Sequence, residues 1–467
     1  MNAKVKTLVN DILGILNDDK NVLSGTVVGS VFEKPLNEIS DIDIIVILKK
    51  LNPTTINTIK SKISDLQPEK YNIERVFEIN DSFGPIKIEN DSNLIFHLML
   101  YDEKLHIEHV KNSPFTCFDW ERSKLYVKKS LTEIYPARKL FLNDFYKSRR
   151  GIQDYISDIN SKKVSYRTYV ETSSGLVQKK RFLDLDSKHS VEFGYHIIRN
   201  SINNILKILY NNNTLISSDS LVRSWKLHFP ALYENYSEIF NELEKQKIQK
   251  TYKSPELIEL IPEFLLQFNK CITDIYDSSQ KIYLIRHLET EKNDGRFFGQ
   301  QNDTPILNTE KSFDLDSIDI SKMLTISSPM LRSTQTVDKF GIKEFELDQR
   351  LIEIDYGKAD GMFYEDFITL FPEYRKKIKQ GIDFRFPGGE SYKDLYQRVS
   401  KVIDSYEKDL VIFTHQGPIR SLIGSALNIP FNELHKISVP HAVPLEFIKI
   451  KNNLHLNIDR ETIHSIL

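Results

Sequence analysis

The sequence predicts a multidomain α/β and α+β protein: an N-terminal mixed-sheet core, a mainly helical middle and a C-terminal three-layer α/β domain. Three observations carry that prediction. Residues 25–48 alternate apolar run, turn and apolar run, as strand–turn–strand does. Residues 113–279 lose that alternation and space their apolar residues at helical intervals. Two later apolar runs, Tyr283–Ile285 and Leu410–Phe413, each deliver a histidine into a loop, and parallel α/β sheets gather such strand ends at one edge.

The elements follow in order. Val5, Leu8, Val9, Ile12, Leu13 and Leu16 predict an amphipathic helix over 3–16. A helix is expected over 51–67, and strands at Val76–Ile79, Ile86–Glu89 and Leu94–Leu100. Boundaries are set at 1–112, 113–279 and 280–467. In the middle segment, Leu125–Val127, Leu131–Leu142, Gly194–Tyr210, Tyr233–Lys245 and Leu257–Ile275 carry helix-spaced apolar residues, and the wide stripe from Phe193 to Leu209 reads as core packing. Lys147, Arg149 and Arg150, and then Lys179 to Arg181, read as solvated basic faces. Asp277–Gln280 reads as the linker into the last domain.

Composition narrows the function classes. The 467 residues carry a formal net charge of −2, which gives no bulk attraction to nucleic acid or to a membrane surface. Two cysteines, Cys117 and Cys271, exclude a disulfide framework and a cysteine-rich zinc site. The N-terminal residues lack the apolar core of a signal peptide, and no apolar run has bilayer length. A cytoplasmic protein is expected.

The richest chemistry lies C-terminal. Arg286 precedes His287, in a run that continues Leu288, Glu289, Thr290 and Asn293. A guanidinium holds a phosphate through parallel hydrogen bonds, and a neighbouring imidazole can attack phosphorus. Downstream follow Ser327–Thr336 with Arg332, then Glu353 with Gly357, Phe386–Ser391 with Glu390, and Thr414–Arg420 with His415. The ordered set resembles the histidine phosphatase superfamily, whose pattern is Arg-His-Gly-Glu-Thr, Ser-Ser-Pro-x-x-Arg, Glu-x-x-x-Gly, Pro-Gly-Gly-Glu-Ser and Ser-His-Gly. The resemblance implies that His287 is the phosphorylated nucleophile. It also implies that Arg286, Arg332 and His415 line the phosphate pocket, that Glu353 gives the leaving group its proton, and that Asn293 is a further phosphate contact; two guanidiniums and a protonated His415 would neutralise charge on the phosphoryl oxygens. No metal is implied. Leu288 stands where the family has glycine, and is expected either to narrow the pocket or to reshape the loop; Gln416 follows the second histidine where the family again has glycine.

A second signature stands upstream. Gly29 and Ser30 close one apolar run, and Asp41 and Asp43 head another. Residues i and i+2 of a strand face one side, so the two carboxylates form a hard-oxygen site suited to Mg²⁺. Gly29 lets a triphosphate approach the backbone, and Ser30 can donate to it. This resembles the polymerase-β-like nucleotidyltransferase superfamily. It implies that an NTP and Mg²⁺ are used to modify an acceptor, with Asp41 and Asp43 as metal ligands. A third carboxylate is expected from a later strand, where the sequence offers His97 instead.

The combined expectation is a bifunctional enzyme: nucleotidyl transfer to a small, phosphorylated metabolite, and phosphomonoester hydrolysis through phosphohistidine. The alternatives are a protein- or RNA-modifying transferase of toxin–antitoxin type, a nucleotide sensor that has lost catalysis beside an active phosphatase, and a mutase in the C-terminal half.

Overall fold

In the computed structural model the structure describes residues 3–29, 39, 41–84, 93–148, 151–173, 175–210, 218–291, 295–307 and 318–467. The chain packs as two compact units, Met1–Ile272 and Thr273–Leu467.

The first unit opens with the helix Ala3–Asp18, whose Val5, Leu8, Val9, Ile12 and Leu16 are fully buried. Strands β1 (Val22–Val28) and β2 (Asp41–Leu48) pair antiparallel. Helix Pro53–Ser64 follows, started by Asn52, whose side chain accepts the Thr55 amide at 2.8 Å, and by a proline in the first turn. Then come β3 (Phe77–Asn80), β4 (Leu94–Asp102) and β5 (Tyr126–Lys128), giving a mixed sheet ordered β3-β4-β2-β1-β5. Strands β2 and β4 run parallel and are buried along nearly their whole length, which is why both read as near-continuous Ile, Leu and Val. Their register sets Asp43 beside His97.

Beyond β4 the unit is mainly helical, with three departures from the sequence reading. Residues 126–128 form the edge strand β5, because Val127 joins the core beside the first helix while its neighbours face outward. Helix is confined to Leu131–Ile134 in the stretch 131–142. And β6 (Lys163–Thr172) and β7 (Gly175–Asp184) form an antiparallel hairpin inside the segment expected to be helical. Its alternating Val164, Tyr166, Thr168 and Val170 suit a pleat, but charged neighbours and a largely half-buried surface blur the period. The long helices Ser187–Tyr210, Pro230–Gln249 and Ile261–Ser278 match the helical periodicity. The last of them ends two residues before β8 begins, so Asp277–Gln280 is helix end and strand start, not a linker.

The second unit is built on β8 (Gln280–Arg286), β9 (Leu324–Ser327), β10 (Glu346–Leu347), β11 (Leu410–Thr414), β12 (Pro444–Ile450) and β13 (Asn453–Leu456), ordered β10-β9-β11-β8-β12-β13. The first four run parallel and β12 and β13 antiparallel. Strand β11 is buried throughout and sits between β8 and β9. Helices Leu331–Lys339 and Gln416–Leu427 leave directly after β9 and β11, while Tyr392–Asp404 begins at a capping box of Ser391 and Asp394. Strand ends, helix starts and the functional side chains therefore share one edge. Among the described residues no helix is long and apolar enough to cross a membrane.

Candidate functional site

In the second unit β8 and β11 are parallel neighbours with Arg286 opposite Thr414, so His287 and His415 leave the sheet side by side, their rings 5.2 Å apart. The His287 amide donates to the Thr414 carbonyl at 3.0 Å and fixes the two exits together. The His287 Nδ1–H donates to the Leu288 carbonyl at 2.6 Å. That hydrogen bond sets the tautomer and leaves Nε2 with its lone pair for attack. Burial, with the positive fields of Arg332 and Arg286, drives His287 far below the usual imidazole range, so the ring is neutral.

Arg332, on the first turn of its helix, is held from several sides. It donates to the carbonyls of Asn302 at 3.0 Å and Gly299 at 3.2 Å, to Asp303 Oδ1 at 3.1 Å, and through Nε to His415 Nδ1 at 3.2 Å. His415 therefore presents a lone pair at Nδ1 and donates from Nε2 to Ser328 Oγ at 2.8 Å. Burial, Arg332 and His287 all depress its proton affinity. This corrects the expected protonated His415: a guanidinium pointing its N–H at the ring requires the neutral form. Arg286 donates to the Val439 carbonyl at 2.7 Å, while its buried Nε has no partner among the described residues. Burial brings this guanidinium down to about 10 despite the nearby Glu353 carboxylate. A cation short of partners at the strand end is ready for an anion.

Glu353 is buried, with Oε1 accepting the amides of Ile354 and Gly417, both at 2.9 Å. Burial raises its proton affinity; those amides and the two arginines oppose the rise without cancelling it. Its loop is tied by Arg398, which donates to the carbonyls of Arg350, Ile352 and Glu353 and pairs with Glu390 at 2.7 Å. Gly417 is one residue beyond the position where the sequence pattern expects glycine. A Cβ there would fall 2.2 Å from Glu353 Oε1.

Arg286, His287, Arg332 and Glu353 open on a cavity of about 490 Å³; His415, expected to line it, is fully buried behind Arg332 and is not part of the lining. Leu288 does not line it; its amide donates to Thr336 Oγ1 and its side chain is buried, so the expected narrowing does not occur. Asn293 lies outside the described residues. The sequence reading missed Arg296, Gln416, Arg420 and His441, which also line the cavity. His441 Nδ1–H donates to the His287 carbonyl at 2.7 Å. Gln416 and Arg420 sit on the helix after His415, and their i, i+4 spacing was the available signal. Lone residues such as His441 and Arg296 give none.

In the first unit Gly29 and Asp43 line a cavity of about 770 Å³. Gly29 has φ +86°, and a Cβ on it would meet Asp43 Oδ2 at 2.6 Å. Asp43 Oδ1 is 2.8 Å from His97 Nδ1, and His97 Nε2–H donates to the Ser82 carbonyl at 2.5 Å. Both ring nitrogens are thus engaged, and His97 supports Asp43 as a neighbour. Asp41 lies half-buried at the start of β2, two residues from Asp43. Ser30 lies outside the described residues.

Residues 282–453 match the histidine phosphatase superfamily (branch 1). The human 6-phosphofructo-2-kinase/fructose-2,6-bisphosphatase 1 is 28% identical over 205 residues, 41% of this chain and 43% of that protein. The Saccharomyces cerevisiae fructose-2,6-bisphosphatase is 24% identical over 322 residues, 63% of this chain and 69% of that protein. The chain thus spans less than half the length of the human relative it matches. Among solved structures, a Thermus thermophilus protein is 23% identical with a TM-score of 0.29, covering 38% of this chain and 98% of its own. A mycobacterial hydrolase is 20% identical with a TM-score of 0.33, covering 39% and 97%.

Proposed function

We propose that residues 280–467 hydrolyse a phosphoric monoester through a phosphohistidine at His287, acting on a sugar-type substrate with a second anionic group. The observation that carries this reading is the pairing of a neutral His287, its Nδ1 committed to Leu288, with a buried Glu353 whose proton affinity is raised. Environments that push an imidazole and a carboxyl in opposite directions supply a nucleophile and an acid in one pocket. His287 Nε2 attacks phosphorus as the ester P–O bond breaks, and Glu353 passes its proton to the departing oxygen. Water then attacks phosphorus, the resulting Glu353 carboxylate takes the water's proton, and the N–P bond breaks to release phosphate. Arg286 and Arg332 meet the charge spread over the phosphoryl oxygens.

The second anionic group is inferred from Arg296 and Arg420, which line the same cavity in addition to the two arginines at His287. The relatives' names supply the class, a bisphosphorylated sugar. The test is inorganic phosphate release from fructose 2,6-bisphosphate and from mono- and bisphosphorylated sugars, with acid-labile phosphate trapped on the protein. Turnover in His287→Ala at the wild-type rate would sink the proposal.

We infer a second activity for the first unit: nucleotidyl transfer from an NTP to a small, phosphorylated acceptor. The support is Asp43 and Gly29 on the wall of a cavity large enough for a nucleotide. Asp43, on the cavity wall with Oδ1 oriented by His97, would hold Mg²⁺ through a hard oxygen; Asp41, two residues earlier on β2, is not part of the lining. When bound there, the ion would neutralise substrate phosphates. Among the described residues no group of three or more His, Cys, Asp and Glu converges, so water and phosphate oxygens would complete the shell. Pyrophosphate release from each NTP, in a His287→Ala background, tests this reading.

A further inference from the structure

The cavity at Asp43 has a wall that neither signature assigns. Asn112, Ser113, Thr116 and Trp120 reach it from the helices Glu103–Asn112 and Pro114–Trp120 and the serine between them, and Arg199, Asn200 and Asn204 from the helix Ser187–Tyr210. Arg122 and Lys124 line it from the loop that leads into β5.

Three features of this wall differ in chemistry and sit together. The first is aromatic: Tyr101, His109 and Trp120 form a stack, with His109 5.2 Å from each neighbour and near-parallel to both, and Trp120 is the member that lines the cavity. The second is amide-bearing: Asn200 and Asn204 are i and i+4 on one helix and therefore share a face. Each carboxamide offers both donors and an acceptor, the pattern that pairs with the edge of a heterocycle. The third is cationic: Arg122, Lys124 and Arg199 line the same space as Asp43. Asp119 also lines it, but is bonded at 2.6 Å to the buried Lys207, so its charge is compensated. An apolar slot holding a planar ring, with amides beside it and cations beyond, is the form of a site for an aromatic base carrying phosphates.

We propose that the helical wall is the base-recognition half of the cavity. A nucleobase stacks on Trp120 and extends the Tyr101–His109–Trp120 stack, Asn200 and Asn204 read its edge, and Arg122, Lys124 and Arg199 meet the phosphates on the way to Asp43. The ligand class is a nucleoside triphosphate held by its base, not an inorganic polyphosphate or a phosphosugar. This rests on the nucleotidyl-transfer reading of the first unit and extends it to specificity.

The experiment measures binding apart from turnover. The full chain carrying His287→Ala is titrated with the α,β-methylene analogues of ATP, GTP, CTP and UTP in Mg²⁺, by equilibrium dialysis, with inorganic triphosphate as competitor. The chain has two tryptophans, and Trp225 is fully buried, so quenching of tryptophan emission reports on Trp120. The expected result is tight binding of one analogue with quenching, weak competition by triphosphate, and affinity lower by about tenfold or more in Trp120→Ala. Trp120→Phe should restore much of the loss by keeping an aromatic face, and Asn204→Ala should level the preference among bases. Equal affinity for triphosphate and nucleotides, or unchanged affinity in Trp120→Ala, would overturn the proposal. Base-dependent binding without pyrophosphate release from true NTPs would uphold this wall and sink the transfer reading. Release of pyrophosphate with no base preference would do the reverse.

Discussion

The amide of Gly417 donates to Glu353 Oε1 at 2.9 Å, and the Cβ that Gly417 lacks would sit 2.2 Å from that same oxygen. One glycine thus both holds the carboxyl and makes room for it. Gly417→Ala must push the Glu353 head group aside, while the helix it starts gains a better former. The expected outcome is a fall in kcat of roughly 10²-fold, on the scale of a positioned proton donor, with a thermal midpoint close to wild type. Steady-state kinetics beside thermal unfolding checks it; wild-type kcat would remove Glu353 from the mechanism.

The pH profile follows from opposite shifts. His287 must be unprotonated to attack, and its proton affinity is depressed, so the acid limb lies well below the ordinary imidazole value of 6.5. Glu353 must carry a proton, and its affinity is raised above 4.5, so activity falls as pH rises through that raised value. A bell is expected in kcat/KM, its acid limb set by His287 and its alkaline limb by Glu353. Glu353→Gln should lose the alkaline limb and about 10²–10⁴ in kcat.

Stability carries its own signature. His287 and His415 have folded-state affinities below their unfolded value of 6.5. Their contribution is therefore fully present above pH 6.5 and is lost as pH falls from there toward the depressed folded values. Denaturant melts across that window should show stability dropping on acidification, and less so in His415→Asn.

Arg420 donates through Nε to the Ile437 carbonyl at 2.6 Å and lines the phosphate cavity. Arg420→Gln should lower kcat/KM for a bisphosphorylated sugar by about tenfold or more, on the scale of a lost charge-assisted hydrogen bond, while sparing a monophosphorylated one. Equal losses on both would place no second anion there.

In the first unit, Asp43→Ala or chelation of Mg²⁺ is expected to abolish pyrophosphate release and leave phosphate release by the second unit at its wild-type rate. Parallel assays of the two products on one preparation decide it.

The strands that lead to His287 and His415 were legible because each histidine sits where an apolar run stops, and period is a local property; Arg332, at a helix start, and Glu353, in a loop, were legible only as members of the ordered motif set. The β6–β7 hairpin was not, since its half-buried faces mix Lys, Arg and Glu with Tyr and Val. The charge state of His415 was hidden for another reason. It depends on Arg332, a partner 83 residues away, pointing an N–H at the ring. Likewise Arg296 and His441 acquire meaning only through what the fold sets opposite them.

The pairing of β8 with β11 joins Arg286 to Thr414 across more than a hundred residues of chain. Neither imidazole has its neighbour, and His287 lacks the carbonyl that anchors its amide, until that distant closure is made. Chains rich in such long-range closures assemble slowly. During refolding, phosphate release should therefore return only with the closing of β11 between β8 and β9, later than the bulk of the helical signal. Activity regained by a refolding sample thus serves as a clock for the slowest joining of the chain.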